Sequence, residues 1–391
     1  MSLRLLTAGE SHGPGLTAII EGLPAGLRVT ADAIDVDLGR RQQGYGRGGR
    51  MRIEQDAVEL RSGVRLGKTT GAPVAMLVGN RDYDNWREAM QPEPASDEQA
   101  VPDIALFRPR PGHADLAGAQ KLLTHDVRNV LERASARHTT MRVAAGSVAK
   151  RLLDVLGIRV VGHVLAIGGV SSEPQRDDLA TLAARAEASE VRCADAVASR
   201  AMMARIDETR RAGDSLGGLV EVLAVGVPPG LGHFSEWDRR LDGRLAQAVM
   251  SVPAIKAVEI GDGFAAAALP GSRVHDPIEY DAEGRRFRRP TNHAGGIEGG
   301  MSNGEPVVVR AAMKPIPTLA RPLASVDLRD HSIVDAGKER TDAVAVPACA
   351  VVCEAVVAWE LACAVMERFG GDTIEELEER VRRYREALAA L

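Results

Sequence analysis

Twenty-two consecutive residues, AVPACAVVCEAVVAWELACAVM from Ala345 to Met366, carry only two charges, Glu354 and Glu360. Small apolar side chains at this density read as a helix filling a protein core. The run contains Cys349, Cys353 and Cys363, with the first two one helical turn apart. A metal pair is conceivable there, but neither nearby histidines nor a second paired-cysteine motif completes a ligand set. A buried helix needs material around it, and a chain of 391 residues with 45% apolar content supplies enough. Wholesale disorder is excluded. A length prior of about 150 residues per domain allows two or three domains or one large α/β unit.

Other broad classes fall away quickly. Uninterrupted apolar runs do not reach the roughly 18 residues of a membrane helix. The opening MSLRLLTAGESHG meets polar residues too early for a signal peptide. A net charge of −5 argues against general nucleic-acid binding, and the four cysteines form no disulfide framework. A soluble, cytoplasmic protein is expected. Repeats of about 20–50 residues are not visible, which disfavours solenoids and propellers.

The periodicities predict strands at 16–21, 51–60 and 73–78, and a helix at 30–41 with Thr30 as its N-cap. Helices are expected at 116–133, 136–156, 176–188, 194–212, 236–251 and 347–368, with an amphipathic one at the C-terminus. GGLVEVLAVGVPPGLG, AVEIGDG, 306–313 and 321–327 read as further strands, and 91–104 and 270–300 as polar, turn-rich segments. Strands are separated by two helices or by none, so a regular doubly wound sheet does not fit. An α+β or layered α/β/α unit without a sharp domain boundary fits better.

One motif misleads. Gly44-Tyr-Gly46-Arg-Gly48-Gly49 matches GxGxxG letter for letter. A dinucleotide site needs a strand before it and a helix after it, and here the expected order is reversed. The same turn has another use, because RRQQGYGRGGRMR gathers Arg40, Arg41, Arg47, Arg50 and Arg52. The cluster is either a solvated face or an anion site, since guanidinium forks bind phosphate and carboxylate in pairs.

Arg108, Arg110, His113 and Asp115 follow in RPRPGHAD, and Arg133, Ser135, Arg137 and Arg142 in ERASARHTTMR. Lys314 begins KPIPT, GGIEGGMSNG bunches glycines, and Lys338, Arg340 and Asp342 lie in GKERTD. Several arginine-bearing loops punctuated by glycine or proline suggest one pocket for a polyanion. His12 in GESHG and His113 in RPGHAD, flanked by small residues, are the candidates for proton transfer. Asp342, two residues from Arg340, is a candidate base. HExxH, GxSxG and metal-ligand arrays are missing from the sequence.

GESHG, RRQQGYGRGGRM, RPGHAD, ERASARHTTMRVAAG, AIKAVEIGDGF, GGIEGGMSNG, MKPIPTL and ERTDAVAVPA occur in the order seen in chorismate synthase. The chain resembles that family from residue 4 to about 370, as a single catalytic domain over 1–391 of the type without a built-in flavin reductase. The resemblance implies a carbon–oxygen lyase of the shikimate pathway, which leads to aromatic amino acids. It performs an anti-1,4-elimination of phosphate and the C6 proton from 5-enolpyruvylshikimate 3-phosphate, giving chorismate. The family requires reduced FMN without net redox change, so an external reductant or reductase is implied.

The resemblance makes His12 the proton donor to departing phosphate, and His113 the residue that protonates or hydrogen-bonds the flavin. Asp342 assists removal of the C6 proton. Substrate binding falls to Ser11, Arg41, Arg47, Arg110, Arg137 and Arg340. FMN binding falls to Arg133, Ala134, Ser135, Pro253, Ala254, Gly299, Lys314, Pro315, Ile316, Pro317, Thr318 and Arg340. No nucleic acid or membrane partner is expected.

The implied fold is α+β, a layered β-α-β sandwich of two antiparallel sheets packed back to back with helices outside. A homotetramer is the implied assembly. The chain departs from the family at His138, where an acid is common, at Pro253 in place of a polar residue, and at Val344 in place of a frequent cysteine. Two other readings compete. One is an FMN oxidoreductase with its own NADPH site, Arg41 and Arg47 holding the 2′-phosphate. The other is a non-catalytic binder of phosphorylated or nucleic-acid ligands.

Overall fold

The computed structural model describes residues 2–47, 55–93, 104–173, 178–337 and 342–391. Two antiparallel sheets carry the frame. In the first, strands β1 (Arg4–Ala8), β2 (Gly15–Glu21), β3 (Val58–Ser62) and β4 (Val74–Gly79) lie in the order β1-β2-β4-β3. Leu16, Ala18 and Ile20 alternate inward along β2, and Val74, Met76 and Val78 along β4, so these two central strands present an apolar face. Pairing Leu16 with Val78 sets the register that keeps those side chains on the same face.

The second sheet contains β5 (Arg159–Ile167), β6 (Gly218–Val225), β7 (Ile255–Ile260) and β8 (Val307–Met313), ordered β7-β8-β6-β5, with the short strand Val170–Ser171 at its edge.

Between the sheets lie helices α1 (Ala31–Gln42), α4 (Thr139–Val155), α7 (Leu241–Met250) and α8 (Val346–Phe369). Two short helices, α2 (Asp115–Leu122) and α3 (Arg128–Ala134), precede α4, and α5 (Leu179–Ala188) and α6 (Ala196–Ala212) follow β5. Helix α9 (Ile374–Leu388) closes the chain. Helix α4 rests on β1 and β2 of the first sheet and on α8, while α8 rests on β5 and β6 of the second. The expectation of sheets back to back with helices outside is therefore corrected. The reason is in α8 itself: its side chains are buried around most of the circumference, which a helix covered on one side cannot achieve.

By length and composition α8 could cross a membrane, yet 89% of its most apolar window is buried in the protein. Its two glutamates explain why an uninterrupted apolar run was not legible. Glu354 is buried against Arg40 and Lys150, at 2.7 and 2.6 Å. Cys349 and Cys353 are buried with their sulfurs 3.8 Å apart, and burial beside Glu360 pushes the Cys363 thiol up to about 12.

Thr30 caps α1 as expected, its hydroxyl accepting from the Ala33 N–H at 3.3 Å. The helix expected at 116–133 is two helices, broken where Leu123 adopts a left-handed backbone with φ 52°. The strand expected at 321–327 shortens to Ala324–Val326. The first part of the strand expected at 51–60 lies outside the described residues, as does most of the loop at 91–104.

Candidate functional site

The segment after β1 folds back into β2 through Glu10–Pro14, and Asn80 secures the turn by donating to the carbonyls of Glu10 and Gly13 at 3.1 and 2.7 Å. Ser11 N–H donates to the Glu132 carbonyl at the end of α3, at 3.1 Å. This places His12 over the Glu132 side chain. The His12 N–H donates to Glu132 Oε2 at 2.8 Å, and ring Nδ1 lies 2.9 and 3.1 Å from the two carboxylate oxygens. Trp86 stacks on the imidazole at 4.1 Å between centroids, and Arg128 reaches both Glu132, at 3.3 Å, and the Trp86 face. Burial would raise the Glu132 carboxyl, but its bonds to His12 and the nearby Arg128 hold it below the usual range.

A second histidine is built in the same way from a local loop. His113 Nδ1 is 2.5 Å from Asp115 Oδ1. Asp115, buried at the start of α2, also accepts from the Arg110 N–H at 3.0 Å and from its Nε at 2.8 Å. Burial opposes ionisation, yet His113 and Arg110 together hold the Asp115 carboxyl well below the ordinary carboxylate range. Arg110 Nη1 continues to Thr318 Oγ1 at 3.0 Å, linking this loop to the segment after β8.

Both histidines border one cavity of about 860 Å³. Its floor is the N-terminal turn of α8, with Ala345, Ala348, Cys349 and Val352. Arg41 enters from the end of α1. Its Nε donates to Thr139 Oγ1 and Nη2 to the Ala136 carbonyl, both at 3.0 Å. Nη1 is buried without a hydrogen-bond acceptor, 3.6 Å from Asp56. Burial first, then repulsion from Arg137 and Arg47, pushes the Arg41 guanidinium below its ordinary value, against the pull of Asp56 and Asp342. An anion arriving there relieves that cost.

Arg137 is held by Asp56 at 2.6 Å and Asn80 at 2.9 Å, and Arg47 pairs with Asp342 at 3.1 Å. Lys314 donates to the Gly112 carbonyl at 2.5 Å, and burial next to Lys256 pushes its ammonium downward.

Of the residues expected in the site, Ser11, His12, Arg41, Arg47, Arg110, His113, Arg137 and Asp342 meet at this cavity. So do Ala134, Ser135, Pro253, Ala254, Lys314, Ile316, Pro317 and Thr318. Three expected residues are not among those lining it. Arg133 is exposed and spends its guanidinium on Thr7 and Gly9 at the end of β1. Gly299 is exposed in a hairpin turn with open space around it, and Pro315 is exposed. Arg340 lies outside the described residues, as do Lys338, Arg50 and Arg52. His138 Nδ1–H donates to the Ser135 carbonyl at 2.7 Å. Burial, with Arg133, Arg142 and Arg41 around it, pushes the His138 ring downward.

The family model for chorismate synthase matches residues 3–366. The chain is 58% identical over 386 residues to the chorismate synthase of Moorella thermoacetica, covering 99% of each chain. It is 56% identical over 381 residues to that of Trichlorobacter lovleyi, covering 96% of each. A crystal structure of chorismate synthase aligns over 100% of this chain and 99% of its own, at 42% identity and a TM-score of 0.80. The chain belongs to the chorismate synthase family.

Proposed function

We propose that this cavity is where the chain, a carbon–oxygen lyase of the chorismate synthase family, eliminates phosphate from 5-enolpyruvylshikimate 3-phosphate to form chorismate. One observation carries the reading: two histidines, Asp342 and a ring of arginines, drawn from segments scattered along the sequence, open on one cavity. A substrate with a phosphate and two carboxylates needs several fixed cations, and Arg41, Arg47, Arg110 and Arg137 stand around the space with Lys314. Ser11 adds a hydroxyl beside His12.

The elimination asks for a proton at the departing phosphate and for loss of one from C6. His12 holds the first proton, its ring steadied by Glu132 and Trp86. His113 holds another on the opposite loop. Asp342, paired with Arg47, serves proton removal from C6. The walls formed by Trp86, Leu131, Val252, Ile316 and Pro317 exclude water and strengthen the field of the arginines.

The residues present fit a flavin as well. The cavity, at about 860 Å³, is near the large end of the roughly 300–1,000 Å³ that ligand sites occupy, which leaves room for a flat ring system beside the anion that takes up the buried Nη1 of Arg41. Ala134, Ser135, Pro253, Ala254, Lys314, Ile316, Pro317 and Thr318 would hold it. Reduced FMN, when bound, lends electron density as phosphate leaves, without net oxidation.

The competing oxidoreductase reading assigned Arg41 to a nicotinamide phosphate. That arginine is buried in the same cavity as the histidines, which favours the lyase. A cytoplasmic homotetramer acting through a single catalytic domain, with reductant supplied from outside, completes the proposal. One continuous apolar core from Leu3 to Val381 supports the single domain.

Anaerobic turnover with chemically reduced FMN and no NADPH should give chorismate. Under the same conditions His12→Ala and His113→Ala should each lower kcat by ~10²–10⁴. Wild-type rates in both variants would remove the assigned roles.

A further inference from the structure

We infer that Glu132 and Asp115 are positioning residues that fix the tautomers of His12 and His113 through Nδ1, so that each ring exchanges protons at Nε2. The inference rests on the catalytic reading of the two histidines and deepens it.

The geometry repeats on two unrelated segments. Each histidine meets a buried carboxylate at Nδ1, and each carboxylate is backed by a buried arginine, Arg128 for Glu132 and Arg110 for Asp115. Glu132 and Asp115 are 2% and 1% exposed, so water does not compete for their oxygens. Both carboxyls are held in the ionised form by these partners. An ionised carboxylate only accepts, so the proton in each short contact belongs to Nδ1. A neutral ring then carries its lone pair at Nε2, and an imidazolium carries its transferable proton there.

Arg110 sharpens the point. Its Nη2 lies 3.0 Å from His113 Nδ1 and 3.1 Å from Asp115 Oδ1. A guanidinium cannot accept, so it could bond Nδ1 only if that nitrogen were bare. With Asp115 ionised and 2.5 Å from Nδ1, the ring nitrogen is protonated and Arg110 donates to the carboxylate instead. Glu132 does a second task, since its Oε2 also accepts the His12 backbone N–H at 2.8 Å and orients the turn.

The proton balance at phosphate departure follows. The Nε2–H bond of the His12 imidazolium breaks, an O–H bond forms on the leaving phosphate, and the ring is left neutral as the Nδ1–H tautomer. That product is the form Glu132 already stabilises. With the opposite tautomer the same transfer would leave Glu132 facing a bare nitrogen.

Glutamine is nearly isosteric with Glu132 but can turn its amide N–H₂ toward Nδ1 and stabilise the wrong tautomer. Magic-angle-spinning ¹⁵N NMR of histidine-labelled, flavin-free protein reads the tautomer directly, with His12→Ala and His113→Ala as assignment controls. Wild-type His12 and His113, when neutral, should show a protonated Nδ1 and a bare Nε2. Glu132→Gln should lose this state at His12 alone, and Asp115→Asn at His113 alone. Each should lower kcat by ~10²–10⁴, with KM for the substrate within a few-fold, and Glu132→Asp should recover part of the rate.

A neutral wild-type ring with a protonated Nε2 and a bare Nδ1 overturns the inference whether or not the variants fold, and so does a wild-type kcat in Glu132→Gln. If His12→Ala keeps full activity while the Nδ1–H tautomer is seen, the catalytic reading falls instead, and with it the purpose of the positioning.

Discussion

Arg41 is where a single side chain decides the affinity of the site. Two edges of its guanidinium are spent on Thr139 and Ala136, which aim the third nitrogen into buried space. A lysine has one nitrogen and cannot both anchor itself and meet a ligand. A hydrogen bond to a charged group contributes about 1.5–3 kcal/mol, so Arg41→Lys should raise KM for the phosphorylated substrate roughly 10- to 150-fold. The loss should fall on KM more than kcat, in steady-state kinetics at saturating reduced flavin. Unchanged KM would mean that Arg41 only supports the fold.

The cation itself was legible, because guanidiniums crowded between glycines need an anion or water. Its companions were not. Glu132 lies 120 residues from His12, and no local pattern ties the two. Trp86 sits in the polar stretch RDYDNWREAM, where it reads as a surface residue. In a chain with only 3% aromatic residues, an isolated tryptophan next to charges was the available signal.

At the scale of elements, the strands that escaped the sequence reading show what periodicity can report. Strand β5, RVVGHVLAI, is covered by α8 on one side, and α5 and α6 also pack against it. It is buried almost throughout, so it has no alternation to recognise. Strand β1 is an edge strand of five residues, half exposed, and too short to declare a period. Helices read better because caps and apolar stripes are local. What no helix pattern could give is where two helices touch.

Helices α4 and α8 meet at Gly146, where an added Cβ would lie 2.6 Å from both the Cα and the carbonyl oxygen of Ala355. Those are backbone atoms that no rotamer change can move. In a free helix Gly→Ala gains about 1 kcal/mol, whereas overpacking a core costs about 1–3 kcal/mol. Gly146→Ala should therefore be destabilising, and a lowered urea midpoint would show it. It should also cost activity, because Thr139 at the start of α4 and Cys349 at the start of α8 both border the cavity. A variant more stable than the parent would refute the tight contact.

Across the whole molecule, the inner helical layer is tied together by buried charge as well as by apolar packing. Arg40 and Lys150 interleave with Asp37 and Glu354 among α1, α4 and α8. Glu354 sits at the middle, 2% exposed, and also accepts the Gly162 N–H of β5 at 2.8 Å. Burial pushes its carboxyl up, but Lys150 and Arg40 outweigh that and hold it far below the ordinary value.

Asp115, Glu132 and Glu221 are depressed in the same way, each against burial. A carboxyl depressed by folding adds stability that is complete above its unfolded value, near 4, and is lost as pH falls through the folded one. Between the two values the unfolded chain binds more protons, so stability rises with pH. The melting temperature should hold from neutrality to about pH 5 and drop steeply below it, in the range where unfolded carboxylates titrate.

Glu354→Gln separates this account from a general effect of acid. Removing one partner of a buried ionic cluster costs roughly 3–5 kcal/mol, because Arg40 and Lys150 lose their central counter-charge. The variant should melt lower at pH 7. Having no proton to take up there, it should also lose less on acidification, so the two melting curves converge as pH falls. Parallel curves across the acid range would show that Glu354 is not the group whose protonation loosens the layer between the sheets.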